Sequence, residues 1–146
     1  MKRITVQNEY PVCAARLWAL ATSYAALHDV MTGLATFEGL PNGRTRTGQR
    51  LEITVSLFGK LPKQPYFIEI LECDDLALIL RSAEHGAGVK TWLHTLTVTE
   101  TEAGSRLQDQ IDIDAGTLTP AFALWAKYLY HARHKPRLRL LENGRY

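Results

Sequence analysis

The chain contains only two cysteines, Cys13 and Cys73, and they stand far apart in the sequence. Neither belongs to a Cys-X-X-Cys pair, so the sequence offers no disulfide framework and no cysteine ligands at metal-site spacing. Isolated thiols of this kind are typical of a reducing compartment. We therefore predict a cytoplasmic protein in which both thiols serve packing.

Long apolar runs are missing as well. The most apolar stretch, residues 12–31, is interrupted by charged residues such as Arg16 and Asp29 before it can form a membrane-spanning helix. The N-terminus begins with a strand-like segment and lacks the apolar core of an export signal. We expect neither an integral membrane segment nor a leader peptide.

Neither positively nor negatively charged residues dominate the sequence. Its 17 basic and 15 acidic residues give a formal net charge of +2, a balance that argues against a dedicated nucleic-acid binder. Residues 133–139, with the sequence RHKPRLR, are the exception, and we interpret them as a solvated helix end. The alternative is that this basic segment contacts an acidic partner or an anionic lipid.

The length of 146 residues and the apolar content of 46% are ordinary for one globular domain. Neither an internal repeat nor a linker interrupts the chain, so we predict a single domain over residues 1–146. A first strand is predicted at residues 3–9. Two short helices follow, at residues 12–21 and from the capping residue Ser23 to Val30.

From Gly33 onward the hydrophobic period changes from helical to strand-like. Short turns separate the segments, so consecutive strands should pair as antiparallel hairpins. Six strands are predicted, at residues 34–38, 50–57, 66–73, 76–84, 89–100 and 105–114.

The last element is predicted to be a long helix. Thr119 is a capping residue and Pro120 fits the first helical position. Pro136 lacks an amide hydrogen and clashes with the preceding turn, so a kink or break is expected there. Along this helix, one face at three- and four-residue steps consists of Phe122, Trp125, Ala126, Leu129 and Arg133.

The order strand, two helices, six strands and long helix predicts an α+β fold. A meander of this kind exposes one apolar face, and the only element long enough to cover it is the C-terminal helix. The twist of an antiparallel sheet of about seven strands makes it curl around that helix. We expect an apolar pocket between the sheet and the helix.

At this point the chain resembles the START/Bet v 1-like (SRPBCC) superfamily with its helix-grip fold, in particular the bacterial polyketide cyclase/dehydrase and lipid-transport branch. The likeness covers nearly the whole chain, from residues 4–6 with Pro11 and Trp18 to the closing helix. Its most specific part is residues 88–120, where a Trp-X-His strand turns through a Gly-Ser step into an acidic strand. One departure is Ala115-Gly116-Thr117, where many such domains have a proline-glycine loop. The resemblance implies binding of apolar molecules, and in some members aldol cyclisation or dehydration.

Strand alternation predicts which side chains line the pocket. The larger, more apolar set on the strand of residues 89–100 is assigned inward, together with the apolar face of residues 50–57 and that of the last helix. The predicted ligand-binding residues are Leu51, Ile53, Val55, Leu57, Ser82, Trp92, Leu96, Val98, Phe122, Trp125 and Leu129.

Four polar residues are predicted to share one patch of this inner surface. Tight turns place Leu96 opposite Asp109, Val98 opposite Leu107, Ser82 opposite His94 and Glu84 opposite Trp92. Asp109 then lies diagonal to His94. A carboxylate beside an imidazole can raise its basicity, so His94 is a candidate general base with Asp109 or Glu84 in support. The alternative is a buried histidine held for structural reasons.

Three functions therefore remain open. The first is a binding or carrier domain for a small apolar molecule such as a lipid, polyketide or isoprenoid. The second is a cyclase or dehydratase that uses His94, and the third is an interaction module whose pocket is filled by side chains. We expect no metal site and no cofactor, since no His-X-His or His-X-X-X-His pattern is present. Whether the chain is an enzyme stays open, and so does a homodimer.

Overall fold

A computed structural model describes residues 1–146 and has the predicted α+β order of elements. The sheet strands are β1 (Lys2–Tyr10), β2 (Ala35–Glu38), β3 (Arg50–Leu57), β4 (Gln64–Asp74), β5 (Ile79–Gly86), β6 (Val89–Thr101) and β7 (Gly104–Asp114). The helices are α1 (Ala14–Ala21), α2 (Tyr24–Val30), α3 (Thr119–Ala132) and α4 (His134–Glu142), with a short 3-10 turn at Gly116–Leu118.

All seven strands form one curved antiparallel sheet in the order β1-β7-β6-β5-β4-β3-β2. The two-residue turn between β6 and β7 fixes their register, because Thr101 pairs with Gly104. The predicted pairings are confirmed: Leu96 with Asp109, Val98 with Leu107, Ser82 with His94 and Glu84 with Trp92.

The helices cover one face of this sheet. In β7 the side chains of Leu107, Ile111 and Ile113 are fully buried, and they alternate with outward-facing polar residues. The helix α3 packs against β1 and β7, and α1 packs against β6 and β7. The result is the helix-grip arrangement that the sequence predicted. No helix is both long enough and apolar enough to cross a membrane.

The closing helix is broken, as predicted, but the break lies at Arg133 and not at Pro136. Pro136 occupies the third position of α4. An uninterrupted helix would need an amide hydrogen at residue 136 to reach the carbonyl of Ala132, and proline has none. The ring also crowds that carbonyl, so α3 ends at Ala132. Thr119 begins α3 without capping it; its hydroxyl accepts from the Ala115 amide at 2.9 Å and donates to the Gly116 carbonyl at 2.7 Å.

The strand predicted from residue 76 begins three residues later, at Ile79. The Asp74 carboxylate accepts hydrogen bonds from the amides of Leu76 and Ala77, at 2.9 and 3.0 Å. These bonds hold residues 75–78 in a turn, which Leu78 completes with φ 57. Local capping by an aspartate thus outweighs the strand preference of the leucines that follow it.

The interpretation of the basic segment as a wholly solvated helix end was wrong. Arg133 and Arg137 are only 8% and 3% exposed, whereas Lys135 and Arg139 face solvent. Residues four apart share one helix face, and here that face turns toward the sheet. Two of the basic side chains therefore lie inside the protein.

Candidate functional site

A cavity of about 180 Å³, partly open to solvent, lies between α3 and the strands β3 to β6. Of the 34 residues that line it, 26 are hydrophobic. The helices α1 and α2 contribute to one side of the wall. Side chains do not fill this space.

Most of the residues predicted to face the pocket lie on the cavity wall. Those residues are Leu51, Ile53, Val55, Leu57, Ser82, Trp92, Leu96, Phe122, Trp125 and Leu129. Val98 is the exception, although it points to the same face of β6 and is 3% exposed. It does not line the cavity, because α1 packs against β6 and the hydrophobic core continues past Val98 there.

Several wall residues were not predicted. Tyr66 on β4 faces the cavity, whereas Glu69 and Arg81 point outward and pair with Arg50 and Glu72. Strand alternation alone cannot decide which face of β4 points inward, because the register shifts between residues 70 and 72. Arg133, which the helical spacing placed on the face of Phe122 and Trp125, also lies on the wall. Tyr130 and Arg137 were missed, although their spacing after Ala126, at four and eleven residues, marks them as the same helix face.

Glu84 forms one of two polar clusters on the wall. Its carboxylate accepts a hydrogen bond from the Ser82 hydroxyl at 2.8 Å and another from the Tyr66 hydroxyl at 2.8 Å. Burial of Tyr66, with the carboxylate beside it, raises its pKa well above the ordinary value. Each oxygen of Glu84 thus has one protein partner, and Glu84 does not join the His94 cluster as predicted.

His94 and Asp109 form the second cluster. The Nε2 atom of His94 lies 2.7 Å from Oδ1 of Asp109, and their exposed fractions are 8% and 0%. His94 lines the cavity, whereas Asp109 stands behind it. An ionised carboxylate can only accept, so Nε2 carries the proton and Nδ1 of a neutral ring keeps its lone pair. Nδ1 has no protein hydrogen-bond partner.

Cationic neighbours keep Asp109 ionised. Burial alone would raise its pKa, but the hydrogen bond and electrostatic interaction with the His94 ring and the charges of Arg137 and Arg133 outweigh burial and lower the pKa below the ordinary value. The nearest of these arginines is Arg137, whose Nη1 lies 3.9 Å from Oδ2 of Asp109. The cluster therefore ties β6, β7 and α4 together through opposite charges.

Tyr130 packs beside His94 on the cavity wall. Its ring centroid lies 5.0 Å from that of His94, and the guanidinium carbon of Arg133 lies 4.3 Å from the Tyr130 centroid. Burial raises the pKa of the Tyr130 hydroxyl far above its ordinary value. The ring is thus a neutral aromatic surface that carries a cation on one side.

These side chains can hold an apolar molecule and present a histidine to it. The structure contains no group of three or more His, Cys, Asp or Glu side chains arranged to hold a metal ion.

Comparison with known proteins identifies the fold and no more. No family model and no curated protein matches the chain. Among solved structures, a protein from Chromobacterium violaceum is similar with a TM-score of 0.76 and 14% identity, over 96% of this chain and 97% of that one. A protein from Thermus thermophilus has the same score and identity, over 99% and 100%. A protein of the dynemicin biosynthetic locus is similar with a TM-score of 0.67 and 16% identity, over 97% of this chain and 48% of that one.

Proposed function

We propose that this protein is a START/Bet v 1-like binding or carrier domain that holds a small apolar molecule in its internal cavity. The carrying observation is the cavity of about 180 Å³ with its largely hydrophobic wall. An engineered apolar cavity of about 150 Å³ is large enough to bind benzene. A one- or two-ring compound or a medium-length chain is therefore the size of ligand that fits.

The apolar wall of the cavity supports this proposal. A ligand with an apolar body would remove this wall from contact with water, and burial of apolar surface is favourable by about 25 cal/mol per Å².

Calorimetric titration with 2-naphthylmethanol, an uncharged two-ring probe, tests the proposal. Val55→Trp places a large side chain in the cavity, whereas Thr54→Trp places the same side chain on the opposite face of β3. We expect the wild type and the Thr54 variant to bind with similar affinity, and the Val55 variant to bind at least about tenfold more weakly. Absence of binding to the wild type, or equal binding by both variants, would contradict the proposal.

The natural ligand requires a separate measurement. Native mass spectrometry of gently purified protein should show an adduct whose mass disappears in the Val55→Trp variant. The same adduct in both tryptophan variants would place it outside the cavity.

A second function, catalysis of proton abstraction next to a carbonyl, is favoured by the position of His94. Its ring forms part of the cavity wall and Asp109 supports it from behind, as in a general base oriented by a carboxylate. A cyclase or dehydratase needs this step. The probe 2-tetralone in deuterated water reports it directly, because abstraction exchanges the hydrogens next to its carbonyl.

We expect the wild type to accelerate this exchange and His94→Ala to abolish the acceleration. His85→Ala is the matched control, since His85 stacks on Phe67 on the outer face, with 4.8 Å between the ring centroids. If His94→Ala exchanges at the wild-type rate, the enzyme hypothesis fails. Binding of 2-naphthylmethanol would survive that result, and a carrier would remain.

A further inference from the structure

Arg133 is a buried cation without a counter-ion on the wall of the cavity. It stands between α3 and α4 and is 8% exposed. Its Nε atom is buried without a hydrogen-bond partner, and the guanidinium takes part in no ion pair. Its one close partner is the Tyr130 ring, at 4.3 Å. Buried charges in proteins are normally paired. The charge of Arg133 is therefore a candidate to bind an anionic group of a ligand.

The carboxylates nearby are already engaged. Both oxygens of Glu84 accept hydrogen bonds from Ser82 and Tyr66. Asp109 is shared by His94 and Arg137. Glu84 lines the same cavity but forms no ion pair with Arg133. The guanidinium therefore lies on the cavity wall with its Nε atom unpartnered.

We propose that Arg133 binds the carboxylate of an amphipathic ligand whose apolar body fills the cavity. This inference rests on the proposed function, and it narrows the ligand class from any small apolar molecule to an aryl or medium-chain monocarboxylate. A guanidinium matches a carboxylate through two parallel hydrogen bonds. Packing against Tyr130 holds the group in place, which reduces the conformational entropy that binding costs.

The test compares two probes that differ only in the head group, 2-naphthoate and 2-naphthylmethanol, by calorimetric titration at neutral pH. Arg133→Gln removes the charge and keeps hydrogen-bonding capacity. Arg139→Gln is the matched control, because Arg139 is an exposed arginine on α4. We expect the wild type and the Arg139 variant to prefer 2-naphthoate. In the Arg133 variant, 2-naphthoate should bind at least about tenfold more weakly, because the variant lacks a charge-assisted hydrogen bond to the carboxylate. The affinity for 2-naphthylmethanol should stay the same.

Three other results overturn the inference. Equal weakening of both probes would show that Arg133 only shapes the cavity. An unchanged affinity for 2-naphthoate in Arg133→Gln would place the carboxylate elsewhere, for example at Arg137. If the wild type prefers 2-naphthylmethanol or binds both probes equally, the proposed carboxylate ligand is refuted, even if the Arg133 variant does not fold. If the wild type binds neither probe, the proposed function itself is refuted, and the inference with it.

Discussion

Replacing Asp109 by asparagine should destabilise the protein strongly, because it leaves the charge of Arg137 buried without its partner. Asparagine has nearly the same shape, and its amide oxygen can still accept the hydrogen bond from Nε2 of His94. The substitution therefore removes the negative charge of residue 109 with little change in shape. Asp109 is fully buried and Arg137 is 3% exposed, so solvent screens neither.

The magnitude follows from the distance of 3.9 Å between Nη1 of Arg137 and Oδ2 of Asp109. At an effective dielectric constant of about 20, two unit charges at this separation attract by about 4 kcal/mol. Measured losses on breaking a buried pair are about 3–5 kcal/mol. We expect Asp109→Asn to lower the free energy of unfolding by an amount in that range.

Urea unfolding followed by circular dichroism measures the effect. The control is Asp112→Asn, the same substitution on the outer face of β7, where Asp112 pairs with the exposed Arg3. That variant should change stability far less. A double-mutant cycle with Arg137→Met should show that the second substitution recovers part of the loss, since it removes the orphaned charge. A loss below about 1 kcal/mol in Asp109→Asn, or strict additivity in the cycle, would refute the reasoning.

Three further predictions follow from the same structure. The difference in unfolding free energy between wild type and Asp109→Asn should persist at neutral pH and become smaller only below about pH 4, because the folded-state pKa of Asp109 lies below its ordinary value of 3.8. Urea titrations at a series of pH values measure this difference. Gly104→Ala should lower the melting temperature far more than Gly33→Ala: a Cβ at Gly104 would lie 2.2 Å from the Tyr10 carbonyl oxygen, whereas none at Gly33 meets an atom within 4 Å. In an ultraviolet pH titration up to pH 10, wild type and Tyr66→Phe should show the same increase in phenolate absorbance, because the raised pKa keeps the Tyr66 hydroxyl of the wild type protonated at that pH. A smaller increase in the variant would contradict the burial argument.

The pairing of β6 with β7 could be predicted from sequence for a physical reason. Side chains in a strand alternate with a period of two, and a two-residue turn leaves one register that buries both apolar faces. Leu96 and Asp109 consequently stand opposite each other, and His94 comes within hydrogen-bond distance of Asp109. Strand alternation and turn length are therefore enough to predict that this pair is close. They do not predict its chemical role, because burial alone suits a structural pair as well as a general base.

The face of β4 could not be predicted, because its register depends on a shift between residues 70 and 72. A shift of one residue moves every side chain to the opposite face, and no sequence signal marks where it occurs. The sequence therefore does not place Tyr66 on the cavity wall, although this residue supplies one of the two hydrogen bonds to Glu84.

The inward position of Arg133 and Arg137 has a different origin. A basic run near the end of a helix is ordinarily solvated, and only a counter-charge from elsewhere in the fold makes burial tolerable. For Arg137 that counter-charge is Asp109 on β7, and the two are brought together by the direction that the chain takes after α3. Pro136 sets this direction by ending α3 at Ala132. The same break leaves Arg133 at the junction, beside the cavity, where it acts on Asp109 through its charge but forms no ion pair with it. One proline thus separates two inward arginines into different roles: Arg137 is neutralised within the protein, and Arg133 remains available to a ligand.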